Sequence, residues 1–292
     1  TRHNNEDLVK QNKHRKLSHQ AVSIIMQISS THLKQQNYDD ALLYSKRALR
    51  QLNMEKSTTG GSANVLHFIA EIFERMGRPD DALRSYEEII HHYGNDNSPE
   101  VAPALICIGG IHYKKGDFSN ALKMYKEALS ASVSSKQAAV AQQSIAVVHM
   151  KRGEYSDAIR SYNKLLQLEV NTHGPKNVRV AEAHKNIGRV YYRLNEISEA
   201  RTEYEKAIRI FESVLGKNHP KTQVTVKSLK NIRNDFLTEE NDIILARSSE
   251  HCSPSGSHLA GWCDQREKSF GSTYNSHNKN IPFSELGLRG LG

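Results

Sequence analysis

The sequence predicts an all-α fold of about five tandem helix pairs followed by a C-terminal capping helix. A small residue recurs at intervals of 41, 39, 37 and 42 residues. Four and seven positions after each one stand a mostly aromatic and then an apolar residue, and this spacing places all three on one helix face. Almost no segment alternates as a strand would. The recurring small residues are Ala41, Ala82, Ala121, Ala158 and Ala200.

Composition restricts the class of protein. The chain carries 25% charged residues and a formal charge of +8, which favours acidic partners. It has no apolar run of about eighteen residues and no signal-peptide pattern, so we expect neither a membrane span nor a membrane partner. Its three cysteines are too few for a disulfide framework, and we expect a reducing, cytoplasmic location.

Composition also divides the chain. Residues 1–18 are polar and basic and form a lead-in, whereas the repeated helices are expected over residues 19–245. Residues 246–292 are rich in Ser, Gly and Asn, and such a composition buries too little apolar surface to offset the entropy of ordering. We therefore expect the last segment to be disordered.

Start and stop signals support the helix pairs. Five positions before each recurring small residue, four of the five residues tolerate the left-handed conformation that ends a helix, and Gln36 is the exception. A side chain able to cap a new helix stands two positions before each small residue. The stop residues are Gln36, Gly77, Gly116, Gly153 and Asn195, and the N-cap candidates are Asp39, Asp80, Ser119, Ser156 and Ser198.

The first helix of each pair carries an apolar stripe whose third member is small, which lets the partner helix approach closely. These small members are Ser29, Ala70, Gly109, Ala146 and Gly188. Three stripes end in a histidine: His32, His112 and His149. We interpret these as partly buried rings in place of an aromatic residue and not as metal ligands.

A sixth first-type helix is predicted after Pro220. Leu229, Ile232 and Phe236 repeat the stripe, but no second helix with the small and aromatic pattern follows. The polar segment 227–237 suits a helix that covers the last apolar face of a solenoid.

This pattern resembles the tetratricopeptide repeat family, and the resemblance covers about residues 20–240. The turn formed by Leu215, Gly216, His219 and Pro220 resembles the Leu-Gly-x-x-His-Pro turn of kinesin-light-chain-like repeats. The resemblance implies a right-handed superhelical solenoid whose concave groove binds extended peptides.

Applied to this chain, the resemblance places a peptide-binding groove on the first helices. Lys, Arg and Asn on one face suit carboxylates and peptide backbone, because cations give charge-assisted hydrogen bonds and amides bond both N–H and C=O groups. The predicted groove residues are Lys114, Lys151, Lys185, Asn186, Arg189, Tyr192, Arg193, Lys227, Lys230, Asn231 and Asn234.

A basic residue also stands two positions after the last stripe member of every repeat. Two interpretations stay open: a cationic ladder for an acidic partner, or cations that stabilise the helix dipole. The ladder consists of Lys34, Arg75, Lys114, Lys151 and Arg193. Earlier repeats offer a more apolar groove through Met26, Phe68, Cys107, Tyr113, Val147 and Met150.

No catalytic or nucleotide-binding motif occurs, so we predict no enzymatic activity, no cofactor and no metal. His251, Cys252, His258 and Cys263 are zinc-ligand types, but their spacing matches no paired knuckle. The predicted function is an adaptor that binds a protein partner through an acidic or aromatic-acidic segment. The alternatives are a nucleic-acid-binding repeat protein and the targeting arm of a larger enzyme.

Overall fold

The structure, a computed structural model, describes residues 20–54, 61–94 and 98–232. Regular structure within these ranges is entirely helical, which confirms the all-α prediction. The helices are α1 (20–34), α2 (Tyr38–Met54), α3 (Gly61–Arg75), α4 (Pro79–Tyr93), α5 (Val101–Lys114), α6 (Phe118–Ser130), α7 (Ser135–Lys151), α8 (Tyr155–His173), α9 (Val178–Arg193), α10 (Ile197–Leu215) and α11 (220–232).

The predicted lead-in (1–18), the tail (246–292) with its zinc-type residues, Phe236 and Asn234 lie outside the described residues. Among the helices of the described ranges, none combines the length and the apolar character that a bilayer span requires.

Two compact units divide the chain between Pro175 and Lys176. In the first unit, helices α2 to α8 contact one another in sequence order, and α5 also contacts α7. In the second unit, α9 packs on α10. One apolar cluster of this unit joins Tyr191 of α9, Tyr204 of α10 and Ile232 of α11, so the three helices share a core.

The same turn closes all five hairpins. In the third hairpin the N–H of Asp117 donates to the carbonyl of His112 at 2.9 Å, and Gly116 donates to Tyr113 at 3.1 Å, which is a Schellman motif. Such a turn needs a residue with positive φ, and the residues at all five stop positions have it: Gln36 (63°), Gly77 (71°), Gly116 (79°), Gly153 (76°) and Asn195 (62°). The stop prediction is confirmed for the three glycines and Asn195, and Gln36 adopts a positive φ although the sequence did not predict it.

The prediction of the N-caps was wrong. The helices begin earlier, at Tyr38, Pro79, Phe118, Tyr155 and Ile197, because the Schellman turn leaves three residues between paired helices. The predicted cap residues therefore lie in the first turn of their helices. The residues observed at the N-cap positions of α4, α6, α8 and α10 are Arg78, Asp117, Glu154 and Glu196, of which only Asp117 accepts a capping hydrogen bond through its side chain.

The recurring small residues lie where the paired helices meet, as predicted. All five alanines are 0% exposed. A Cβ added to Gly109 would stand 2.7 Å from the Tyr125 ring, and one added to Gly188 would stand 2.9 Å from the Tyr204 ring. In the first pair the contact is polar instead, since Ser29 and Ser45 lie 2.7 Å apart through their hydroxyl oxygens.

Candidate functional site

Helix α9 presents the predicted basic face because its opposite side is buried. Ala181 packs with Phe211 of α10, and Gly188 approaches Tyr204 of the same helix. His184 is also directed at α10, with its Nδ1 2.6 Å from Glu203. The residues on the other side of α9 are half-buried or exposed: Lys185, Asn186, Arg189, Tyr192 and Arg193.

A second helix extends this face. The turn before α11 places Gly216 at φ 89°, and the His219 side chain accepts a hydrogen bond from the N–H of Lys221 at 3.2 Å. Helix α11 then buries Thr222, Thr225 and Ile232. Its exposed side carries Lys227, Lys230 and Asn231.

An ion pair shows how α9 and α11 face each other. Lys221 of α11 donates to Glu182 of α9. Residue 189 lies two turns beyond residue 182 on the same side of α9, so Arg189 is also directed towards α11. The second unit thus places eight of the predicted groove residues on two helices that share one core: five on α9 and three on α11.

Arg189 differs from its neighbours in its contacts. Its side chain is half-buried, and its Nε is buried with no hydrogen-bond partner among the residues that the structure describes. Burial raises the pKa of the Tyr204 hydroxyl, and the positive charge of Arg189 opposes that rise. Arg189 therefore lies within electrostatic reach of the buried tyrosine.

Lys114 and Lys151 belong to the first unit. Lys114 donates to Glu74 at 2.6 Å, and Arg75 donates to Glu71 at 2.6 Å. Arg75, Lys114, Lys151 and Arg193 all stand in the last turn of their helices. This position agrees with the dipole interpretation, and Arg75 and Lys114 already have carboxylate partners. Both interpretations stay open for Lys151 and Arg193.

Sequence reasoning missed a polar network that joins α3, α4 and α5. The Tyr86 hydroxyl donates to Glu74 at 3.2 Å, and the Cys107 Sγ lies 3.5 Å from His67 Nε2. Burial raises the pKa of the Cys107 thiol to about 12, so the thiol is protonated. The sequence did contain a signal for this network. Glu74 and Lys114 carry opposite charges and are 40 residues apart, which is about the length of one repeat.

The three histidines at the stripe ends are partly buried, as predicted. Each lies near a carboxylate of its own hairpin: His32 near Asp40 at 3.7 Å, His112 near Asp117 at 3.4 Å and His149 near Glu154 at 2.6 Å. The sequence analysis did not anticipate these pairs. His112 and Asp117, like His149 and Glu154, are five residues apart and are brought together by the backbone bond of the Schellman turn, whereas Asp40 lies eight residues after His32.

Within the described ranges, one set of side chains has metal-ligand chemistry. Donor atoms of His149, Glu154 and Asp157 lie within 4.8 Å of one another. Arg152 contacts Glu154 at 2.8 Å and Arg160 contacts Asp157 at 3.1 Å, so arginines already neutralise both carboxylates. This set is best described as an ion-pair cluster at the end of a hairpin.

A cavity of about 550 Å³ lies between α10 and α11. It is lined by Ile197, Ser198, Arg201, Thr202, Glu205, Leu229 and Ile232. None of these residues belongs to the predicted groove.

Comparison with known proteins agrees with the repeat geometry. The family model described as Tetratricopeptide repeat matches residues 21–94, 61–132 and 137–213, which is more than half of the chain. Comparison with curated proteins returned no match.

Solved structures share the fold at low identity. BtubC (BKLC) from P. vanneervenii is 17% identical with a TM-score of 0.57, and the alignment covers 82% of this chain and 96% of BtubC. A Podosopora anserina protein described by "kinesin light chain nearly identical TPR-like repeats" is 11% identical with a TM-score of 0.55, covering 67% of this chain and 97% of that one. The apo form of the quorum sensor NprR from B. thuringiensis is 19% identical with a TM-score of 0.57, and the alignment covers 79% of this chain and 64% of NprR.

Proposed function

We propose that this chain, which belongs to the tetratricopeptide repeat family, is a non-enzymatic scaffold that binds an acidic, extended segment of a partner protein. The proposed binding surface is the face formed by α9 and α11, which we call the basic face. It comprises Lys185, Asn186, Arg189, Tyr192, Arg193, Lys227, Lys230 and Asn231.

The distribution of paired and unpaired cations supports this proposal most directly. In the first unit, Arg75 and Lys114 hold carboxylates of α3. In the second unit, Arg189, Arg193, Lys227 and Lys230 have no ion pair within the described ranges. A ligand carboxylate would therefore compete with an internal one at Arg75 and Lys114 and meet none at these four positions. Lys151 of the first unit also has no ion pair within the described ranges.

The other groups on the basic face suit a peptide. Asn186 and Asn231 carry amides that can donate to a main-chain carbonyl and accept from a main-chain N–H. Tyr192 is 37% exposed and offers an aromatic surface beside the cations. An aromatic-acidic segment would use both features, and similarity to proteins described as kinesin-light-chain-like makes an adaptor role consistent with the fold.

Charge reversal tests the proposal. The full chain with Lys185→Glu, Arg189→Glu and Lys230→Glu should lose at least about tenfold in affinity for acidic members of a peptide library. The matched control reverses three exposed lysines on the second helices of the first unit, Lys123, Lys126 and Lys164, and changes net charge equally. Equal loss in both variants, or loss in neither, would contradict a specific site on the basic face.

Nucleic-acid binding gives a different result in the same assay. A protein that binds phosphates through many cations should bind unrelated RNA sequences alike, with affinity falling steeply as salt rises. We expect weak RNA binding, because many helix cations are paired with the chain's own carboxylates. RNA binding tighter than peptide binding would favour the alternative function.

A further inference from the structure

The outer side of α1 exposes apolar residues at positions that are buried in α3, α5, α7 and α9. Ile28 is 38% exposed, whereas the isoleucines at the same position of the later first helices are at most 5% exposed. Ile24, four residues earlier, is 57% exposed, and its equivalents are at most 3% exposed. The equivalents of Ile28 are Ile69, Ile108, Ile145 and Ile187, and those of Ile24 are Val65, Ala104, Ala141 and Ala183.

The preceding helix pair covers these positions where they are buried. In α5, Ala104 and Ile108 belong to one core cluster with Tyr86 and Ile89 of α4, the second helix of the pair before it. Within the described ranges no pair precedes α1, and its outer side is uncovered. We call the exposed residues of this side the α1 face: Gln20, Ala21, Ile24, Gln27, Ile28 and Thr31.

The α1 face carries no formal charge. Residues 20–33 contain no Asp, Glu, Lys or Arg, although the chain as a whole has a formal charge of +8. The centres of protein–protein interfaces are depleted in charged residues. In a contact across a two-fold axis the same patch faces itself, so a charge near the axis would meet a like charge of the other copy. An uncharged face avoids this repulsion.

Residues 1–18 are less suited to cover the α1 face. They contain five Lys and Arg residues, and the α1 face offers no carboxylate to pair with them. Their apolar residues are Leu8, Val9 and Leu17. In a helix, neighbours such as Leu8 and Val9 would not lie on one face, whereas Tyr86 and Ile89 of α4 are three residues apart and do.

We propose that the α1 face is a self-association surface on which a second copy of this chain packs, with the two α1 helices antiparallel across a two-fold axis. In this arrangement Ile24 of one copy lies against Ile28 of the other, and Ala21 lies against Thr31. Intervals of three, four and three residues keep these four positions on one side of the helix. The α1 face shares no residue with the basic face, so either proposal can fail without the other.

Sedimentation equilibrium of the full chain tests this inference. The weight-average mass of wild-type protein should rise with concentration from 33.0 kDa towards twice that value. Because a single helix face is small for a specific interface, we expect a dissociation constant of about 10–100 μM. Ile24→Lys should weaken dimerisation at least about tenfold, because it places a cation in the contact.

Leu43→Lys is the matched control. Leu43 of α2 is 58% exposed, close to the exposure of Ile24, and it lies outside the α1 face. The later second helices already carry cations at the same position, namely Arg84, Lys123 and Arg160. This variant adds the same charge and should change the dimer dissociation constant by less than about twofold.

A mixture of two variants tests the antiparallel register. Ile24→Lys and Ile28→Glu should each dimerise weakly alone. In the mixed dimer the introduced lysine faces the introduced glutamate, while the two unchanged isoleucines meet on the other side of the axis. The mixture should therefore associate at least about fivefold more tightly than either variant alone. Since both replaced side chains are exposed, the urea midpoint of each variant should equal that of wild type.

Three results would overturn the inference. Wild-type protein that stays monomeric up to about 500 μM would show that a different segment or protein covers the α1 face. A dimer that Ile24→Lys weakens no more than Leu43→Lys would be formed by another surface. A mixture of Ile24→Lys and Ile28→Glu that associates no more tightly than its components would contradict the antiparallel contact.

Discussion

Single residues set how closely the paired helices approach. Gly109 allows the Tyr125 ring to lie against the α5 backbone, and Gly188 does the same for Tyr204 on α9. Glycine in a helix interior costs about 1 kcal/mol relative to alanine. Its presence at these two positions is explained by the space that the tyrosine rings occupy.

Replacement of Gly109 by alanine tests this explanation. A Cβ 2.7 Å from Tyr125 Cε1 forces the ring or the helix to move, at a cost that exceeds the gain in helix propensity. We expect Gly109→Ala to lower the free energy of unfolding by about 1–2 kcal/mol in urea denaturation. In a Tyr125→Leu background the same change should cost much less, and an equal cost in both backgrounds would show that the ring is not the cause.

Glu203 provides a pH-dependent test at one residue. Burial works to raise the pKa of its carboxyl, but hydrogen bonds from His184 and Lys206 outweigh burial and hold that pKa below its usual range. A carboxyl with a lowered pKa stabilises the folded state above its unfolded pKa of about 4.3, and the contribution is lost as pH falls through the folded value.

We therefore expect Glu203→Gln to lower the free energy of unfolding by about 1–3 kcal/mol near neutral pH. The difference from wild type should shrink as the pH falls below about 4 in a series of denaturation curves. Glu205→Gln is the matched control, because Glu205 is more exposed, and its pair with Arg201 should contribute less than about 0.5 kcal/mol. A difference that grew on acidification would contradict this assignment.

At the scale of the element, the turn decides where each second helix begins. The sequence signals for stopping were sufficient because a Schellman turn requires one residue with positive φ, and Gly, Asn and even Gln36 occupy that position. The start signals predicted the wrong first residues for these helices, because Asp and Ser are favourable both at an N-cap and in the first turn of a helix. Only the backbone bond of the turn distinguishes the two positions.

Two serines make this distinction measurable. The Ser134 hydroxyl accepts a hydrogen bond from the N–H of Gln137 at 3.3 Å and caps α7, whereas Ser156 lies inside the first turn of α8 without a capping bond. Ser134→Ala should lower the free energy of unfolding by about 1 kcal/mol, and Ser156→Ala should change it by less than about 0.5 kcal/mol. Thermal or urea unfolding would show a reversed order if the original cap prediction were right.

At the scale of the whole molecule, the basic side chains differ in whether they form ion pairs with the chain's own carboxylates. The chain has a formal charge of +8. In the first unit, the ladder cations Arg75 and Lys114 hold Glu71 and Glu74, whereas Lys151 has no ion pair among the described residues. The second unit leaves Arg189, Arg193, Lys227 and Lys230 without ion pairs among the described residues. A count of charges along the sequence contains no information about this difference.

Replacing a lysine by alanine should therefore lower stability at Lys114 in the first unit and weaken peptide binding at Lys230 in the second. Lys114→Ala removes a partner of Glu74 and should lower the free energy of unfolding by about 0.2–1 kcal/mol while leaving acidic-peptide binding unchanged. Lys230→Ala should weaken binding about two- to fivefold without changing the denaturation midpoint. Loss of peptide binding in Lys114→Ala would instead favour a cationic ladder that includes the first unit.

The fold was predictable because repetition supplies four or five copies of every signal. Ala41 and its equivalents, the four tyrosines that stand four residues after such an alanine, and the stop residues all recur in register, so one ambiguous residue changes little. The site was less predictable, since Lys114 and Arg193 look alike in sequence. The carboxylate that accepts from Lys114, that of Glu74, stands 40 residues away in the sequence. Arg189 Nε has no hydrogen-bond acceptor among the described residues, and this depends on side-chain positions that sequence spacing does not reveal.

The constant hairpin turn also determines where the chain can accept foreign sequence. Paired helices are always separated by three residues, whereas the connection to the next pair varies from four residues after α6 to seven after α4. An insertion within a turn would break the bond from the Asp117 N–H to His112 or its equivalent. Epitope tags and fluorophore sites should therefore be tolerated between hairpins, for example at Val133, and should unfold the protein when placed beside Gly116.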